Sequence, residues 1–152
     1  MLPLHTRPLA LLTVHLEPAQ MLGDTPAGTR KIVAVAGGSV EGERFSGRVL
    51  PGGGDWALIR ADNVLLLDVR LTIEAPDGAL IYCRYEGMRH GTPEDLAALA
   101  RGDPVPPERL YFRIQPRFET ASPHWAWLNR ILCVGVGERL KAGPRYHIHE
   151  VS

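Results

Sequence analysis

The chain carries no surplus of either charge: seventeen Lys and Arg answer seventeen Asp and Glu across 152 residues. Without a basic field, nothing in the composition attracts nucleic acid or anionic lipid, and neither nucleic acid nor a membrane is expected as a partner. Cysteine is scarce. Cys83 and Cys133 lie fifty positions apart in apolar runs, which reads as two small buried hydrophobes in a reducing compartment rather than a disulfide. Long apolar runs are missing too, and none approaches the length of a membrane span. The stretch Leu9–Val14 is shorter than a signal core, runs on into His15 and Glu17, and shows no small-residue cleavage site, so a cytoplasmic protein is expected. Common catalytic signatures are also absent. Gly135-Val136-Gly137-Glu138-Arg139-Leu140 begins like a dinucleotide fingerprint but lacks its last glycine and the following helix. With no phosphate loop, no nucleophile elbow and no close cysteine pair, nucleotide-driven chemistry and serine hydrolysis recede, and no cofactor is expected.

What the chain has in quantity is punctuation. Sixteen glycines and thirteen prolines divide short apolar runs at near-regular intervals, the pattern of an all-β chain. Strands are predicted at about 8–17, 29–36, 43–50, 55–60, 63–75, 79–89, 109–120, 130–139 and 144–151. The clearest hairpin turns at Ala75-Pro76-Asp77-Gly78, where proline suits the first inner position and Asp-Gly the next two. Before it, Leu65, Leu67, Val69, Leu71 and Ile73 share one face, and Leu66, Asp68, Arg70, Thr72 and Glu74 the other. The polar face either meets water or lines the interior of a barrel whose apolar face a partner subunit covers. One helix is signalled: Thr92 as N-cap, Pro93 at the first position, Asp95 as the capping acid and Arg101-Gly102 as the stop. A second short turn begins at Ser122-Pro123 and holds Trp125 and Trp127. No linker divides the chain. A single domain over 1–152 is expected, built as a small antiparallel β-barrel that removes exposed strand edges and holds one small ligand in its mouth.

The stretch Pro51-Gly52-Gly53-Gly54-Asp55-Trp56 marks the candidate site. Three glycines strip every Cβ from a turn and allow positive φ or close backbone approach. An acid and an indole follow at once, as in a pocket wall. Asp55 held against Trp56 in a dry cavity would have a raised pKa and could exchange protons as general acid or base. Alternatively Asp55 caps the turn and Trp56 fills core. Arg30, Arg70, Arg89 and Arg113 fall in predicted strands that a barrel could converge on its lumen, presenting donor forks to a carboxylate, enolate or phenolate. Structural ion pairing with Asp55, Asp68 or Glu119 is the alternative. Arg113 stands within Tyr111-Phe112-Arg113-Ile114, and Trp127-Leu128-Asn129 repeats an aromatic beside a polar group. His147 and His149 project from one strand face and could bind a metal if a third ligand arrived, though no such ligand stands at diagnostic spacing and no metal site is assigned.

A longer set of residues carries a resemblance. Gly28-Thr29-Arg30, Gly37-Gly38, the hexapeptide at 51–56, Arg60 with Asp62, Asp68 with Arg70, Asp77-Gly78-Ala79 with Ile81, and Gly87 with Arg89 fit one pattern. So do Tyr111-Phe112-Arg113, Phe118-Glu119-Thr120 and Trp127-Leu128-Asn129. Together they resemble domain-of-unknown-function family 3237, a bacterial and fungal group. The resemblance implies a compact antiparallel barrel, similar to the allene oxide cyclase and lipocalin-like barrels and often dimeric, and it implies no particular activity. It suggests pocket roles for Arg30, Asp55, Trp56, Asp68, Arg113 and Asn129. Asn63 departs from the pattern, which usually has glycine there.

From these readings a small-molecule-binding barrel is expected, forming a homodimer. Its activity would be that of a cofactor-independent isomerase, cyclase or lyase on a partly apolar oxygenated metabolite. Asp55 would move the proton, with Arg113 and Arg30 steadying an oxyanion, and Trp56, Asp68, Arg70, Tyr111, Trp127 and Asn129 would contact the ligand. The alternatives are a lipocalin-like carrier or sensor of an aromatic or fatty ligand, and a metal-dependent enzyme using His147 and His149.

Overall fold

Strict alternation along the strands decides the architecture. In Leu65–Glu74 every second residue is buried, and Tyr111–Glu119 repeats the pattern without interruption. Such strands need a core on one side only, and a sheet closed on itself supplies it. The computed structural model describes residues 1–152 and shows an all-antiparallel β-barrel of eight staves with one α-helix. The strands are β1 (Thr6–Leu16), β2 (Gln20–Thr25), β3 (Gly28–Glu41), β4 (Gly47–Val49), β5 (Gly54–Ile59), β6 (Leu65–Glu74), β7 (Leu80–His90), β8 (Tyr111–Glu119), β9 (Leu132–Leu140) and β10 (Gly143–Val151). Around the wall the order is β1-β10-β9-β8-β7-β6, then β5 and β4 sharing one stave, then β3. β1 pairs with both β10 and β3, which closes the ring. No helix is long and apolar enough to cross a membrane.

The parity question is answered in favour of an apolar interior. Leu65, Leu67, Val69, Leu71 and Ile73 point inward, and Leu66, Asp68, Arg70, Thr72 and Glu74 lie half-exposed outside. The strand unanticipated from sequence is β2, and β3 runs five residues beyond its predicted end, through Gly37 and Gly38 at φ 156° and 147°. A Cβ on Gly38 would lie 2.0 Å from the Thr13 carbonyl oxygen, so only glycine lets β3 pass so close to β1. There β3 changes neighbours, from β2 and β5 to β1 and β4.

One end of the barrel is sealed. Phe45, Phe118 and Trp125 pack with ring centroids 5.2 and 5.8 Å apart, and Leu128 from the 3-10 turn Ala126–Arg130 is fully buried beneath them. The predicted hairpin anchors this end: Gly78 takes φ 83°, and both carboxylate oxygens of Asp77 accept from the Trp125 indole N–H at 3.1–3.2 Å. The helix α1 (Pro93–Ala100) starts where its signals place it, with Thr92 Oγ1 accepting from the Asp95 amide. Cys83 and Cys133 are free thiols buried in the core.

Candidate functional site

The glycine turn delivers Asp55 to the barrel interior. Gly52 takes φ 103°, and Gly53 sits so close to β6 that a Cβ would lie 2.4 Å from the Arg70 carbonyl oxygen. This lets the β4–β5 turn sink between β3 and β6, and β5 then starts with Asp55 inward. Adjacent strand residues face opposite ways, so an inward Asp55 forces Trp56 outward. Asp55 is 8% exposed and Trp56 is 39% exposed. The expected contact between carboxyl and indole therefore does not form.

Asp55 and Arg30 share a gap in the wall. The pairs Asp55–Val69 and Leu58–Leu66 set Trp56 opposite Asp68, but no ladder pair forms there. Instead the Asp68 amide donates inward to Asp55 Oδ1 at 3.0 Å, and Arg30 Nη1 donates from outside to the Trp56 carbonyl at 2.7 Å. Each side chain satisfies a backbone group that the missing pair leaves free.

Opposite the sealed end the barrel opens into a cavity of about 370 Å³. Its depths are apolar, from Val33, Leu67, Val69 and Phe112. Its polar groups lie on runs of inward-facing residues on four strands: Lys31 before Val33 and Val35 on β3, Arg89 after Cys83, Tyr85 and Gly87 on β7, Arg139 after Gly135 and Gly137 on β9, and Tyr146 between Pro144 and Ile148 on β10. Tyr85 and Tyr146 meet edge to face at 5.3 Å, Phe112 meets Tyr146 at the same distance, and the Arg89 guanidinium lies 5.7 Å from the Phe112 ring centre. Gly137 makes this packing possible, since a Cβ there would come 2.7 Å from the Phe112 ring.

Burial governs the electrostatics here. Loss of water raises the Asp55 pKa to about 6, against the opposing pull of the Asp68 amide and the nearby charge of Lys31. Burial also lowers the pKa of Lys31, Arg89 and Arg139, and raises those of Tyr85 and Tyr146. None of the ion pairs in the structure involves Asp55, Lys31, Arg89 or Arg139. A carboxyl that titrates near neutrality among unpaired cations, in a water-excluding cavity with an open mouth, can accept and return a proton while a charged neighbour steadies an oxyanion.

Of the four arginines expected to converge on the lumen, Arg89 alone does so. Arg30, Arg70 and Arg113 lie on the outer wall, because they occupy the alternate parity of their strands. Arg70 pairs with Asp68 at 3.2 Å and sits 5.5 Å from the Trp56 ring, while Arg113 stacks on Tyr111 at 5.0 Å. Arg30, Trp56, Asp68, Tyr111 and Arg113 instead line an outer groove of about 670 Å³ that lies over the gap between β5 and β6. Trp127 packs under Arg44 near the sealed end, and Asn129 bonds both the amide and the carbonyl of Thr120, closing a local loop. His147 shares the Glu138 carboxylate with Arg145, and no cluster of three His, Cys, Asp or Glu side chains is placed to hold a metal ion. Sequence reasoning missed Lys31, Arg139, Tyr85 and Tyr146. Their signal was present: each extends the inward parity of an apolar run, and a cation ends the run at the same barrel end on three strands.

The fold and site define a class: a small single-mouthed β-barrel with an apolar lumen and a ring of titratable groups at its opening. Residues 4–151 match the family described as "Protein of unknown function (DUF3237)", and the chain belongs to that family. A UPF0311 protein of Rhodopseudomonas palustris is 37% identical over 97% of both chains, and its crystal structure superposes with a TM-score of 0.93 over the full length of both. A beta-barrel like protein from Acinetobacter baumannii is 38% identical, with a TM-score of 0.87 over 100% of this chain and 98% of that one. The same fold occurs at 18% identity in a protein from Penicillium herquei described as an enzyme, with a TM-score of 0.76 over 100% of this chain and 97% of that one.

Proposed function

We propose that the barrel mouth binds a small, partly apolar carbonyl compound and catalyses a cofactor-independent proton transfer on it, as an isomerase, cyclase or lyase does. The observation that carries this reading is Asp55: a carboxyl 8% exposed, with a pKa near 6, facing an open cavity it shares with unpaired Arg89 and Lys31. Keeping an unpaired carboxyl in such a place is costly, and such costs concentrate at functional sites. In the reaction, ionised Asp55 takes a proton from the carbon next to the carbonyl. The C–H electron pair moves into a C=C bond, and the carbonyl oxygen becomes an enolate facing the cations. Asp55 then returns the proton at a different carbon, or the enolate expels a leaving group or closes a ring. The description of the Penicillium herquei protein as an enzyme agrees with a catalytic use of the fold.

The test is exchange of the α-protons of 2-tetralone in D₂O, followed by proton NMR. The wild-type protein is expected to accelerate exchange, with the rate rising as pH passes about 6 and the base form of Asp55 accumulates. Asp55→Asn is expected to cut the rate by roughly 10²-fold or more. Exchange at wild-type rate in that variant removes Asp55 from the chemistry. Saturable binding of 2-tetralone with no exchange in the wild type favours the carrier reading instead.

A further inference from the structure

We infer that the ligand of this mouth carries an oxyanion, a carboxylate or an enolate, seated between Arg89 and Tyr146. The inference rests on the lumen being the binding site and adds the class of molecule it takes. Arg89 Nε is buried with no hydrogen-bond partner in the protein, and the Tyr146 hydroxyl, also buried, has only the neighbouring Tyr85 hydroxyl near it, outside good hydrogen-bond geometry. Buried donors are almost always satisfied, and the cost of leaving one unmade falls on the free protein. Both residues line the same cavity, which is the side from which a ligand's acceptor would approach them. Tyr146 is fully buried, and its ring is clamped between Tyr85 and Phe112, so its hydroxyl is held in place before a ligand arrives.

Charge points the same way. The cavity is lined by four cations, Lys31, Arg89, Arg139 and Lys141, against Asp55 and Glu17. Even with both acids ionised the mouth is positive, and it becomes more so when Asp55 takes a proton. The arginines on the outer wall mostly have carboxylate partners, as Arg7, Arg44, Arg48 and Arg84 do. Arg89 and Lys31 form no ion pair, and the carboxylate whose charge acts on both is Asp55. Arginine's planar fork suits a carboxylate or the two oxygens of a 1,3-dicarbonyl enolate. Beside and below the anion, Leu65 and Phe112, which flank Arg89 across the sheet, and Val33 and Leu67 would receive an apolar body.

The test is isothermal titration calorimetry at pH 7.5 with three probes: octanoate, the enolate of dimedone, and neutral octan-1-ol. At least one anion is expected to bind tenfold or more tightly than the alcohol, and whichever anion wins tells carboxylate from enolate. Arg89→Gln is expected to weaken that anion at least tenfold and leave the alcohol within twofold. Tyr146→Phe, a milder change should the first variant fold poorly, is expected to weaken the anion severalfold. Added NaCl should weaken the anion and not the alcohol. Equal affinity for alcohol and acid, equal losses for both probes on Arg89→Gln, or no binding of either anion overturns the inference. Asp55→Asn separates this inference from the reading it rests on. That variant is expected to bind the anion as tightly as wild type or more so, having lost a negative neighbour, while losing exchange of 2-tetralone. Anion binding without any exchange would sink the proton-transfer reading and leave the anion site standing.

Discussion

Asp55 opposes stability at neutral pH, and that is its residue-scale signature. Its folded pKa of about 6 lies above the ordinary value of 3.8. Between those values the folded chain holds a proton that the unfolded chain has released, so stability falls as pH rises and the loss is complete above about 6. The ceiling on this loss is about 3 kcal/mol. Asp55→Asn keeps the acceptor for the Asp68 amide and removes the charge. Urea denaturation is expected to show the variant more stable than wild type by about 1–3 kcal/mol at pH 8, with the gap vanishing at pH 3. A gap of the same size at both pH values would mean the carboxyl is not ionised at a cost. Asn63 teaches a different lesson at this scale. It takes φ 63°, the left-handed conformation a glycine would take, so the departure from the family pattern leaves the turn between β5 and β6 intact. Asparagine tolerates that region better than other non-glycine residues.

At the scale of elements, the opening between β5 and β6 assigns Arg30 a task the sequence could not show. The resemblance attached a pocket role to Arg30, yet its guanidinium bonds the Trp56 carbonyl on the outer wall. The two roles predict different outcomes for Arg30→Met. A wall residue costs about 1 kcal/mol in urea denaturation and leaves 2-tetralone exchange within twofold, and this is the expected result. A tenfold loss of exchange at unchanged stability would return Arg30 to the chemistry. Parity explains why the sequence misled here. Asp55 and Trp56 are neighbours in sequence and so cannot share a face of a strand, and the same rule parts Arg113 from Phe112. The hairpin at 75–78 and the helix at 93–100 were legible because a short local code of proline, Asp-Gly and a threonine cap specifies each. β2 was not legible, since Gln20–Thr25 carries no apolar alternation and is held by pairing with β3.

For the whole molecule, closure joins the two ends of the chain. Arg7 on β1 grips the Glu150 carboxylate on β10 with two bonds of 3.0 Å, and Arg44 adds a third at 2.6 Å. The hydrogen bonds from Arg7 and then Arg44 hold the Glu150 pKa below the ordinary glutamate range. A depressed carboxylate stabilises the fold above its unfolded pKa, and the effect is lost as pH falls through the folded value. Glu150→Gln is expected to lower stability at pH 7 by about 1–2 kcal/mol, and by much less at pH 3, in urea titrations. An equal loss at both pH values would show that packing, rather than charge, makes the closure.

Taken by itself, the sequence determined the class of fold and marked Asp55 as a candidate, leaving open which way it faces. Alternation, glycine and proline spacing and local turn chemistry act over a few residues, and so survive in a one-dimensional record. The company Asp55 keeps was decided by tertiary structure. Lys31, Arg89 and the hairpin that carries Arg139 and Tyr146 are far apart in sequence and meet only because closure and strand register bring them to one rim. Burial, which raises the Asp55 pKa and leaves those cations without partners, belongs to the closed barrel and to no segment of the chain.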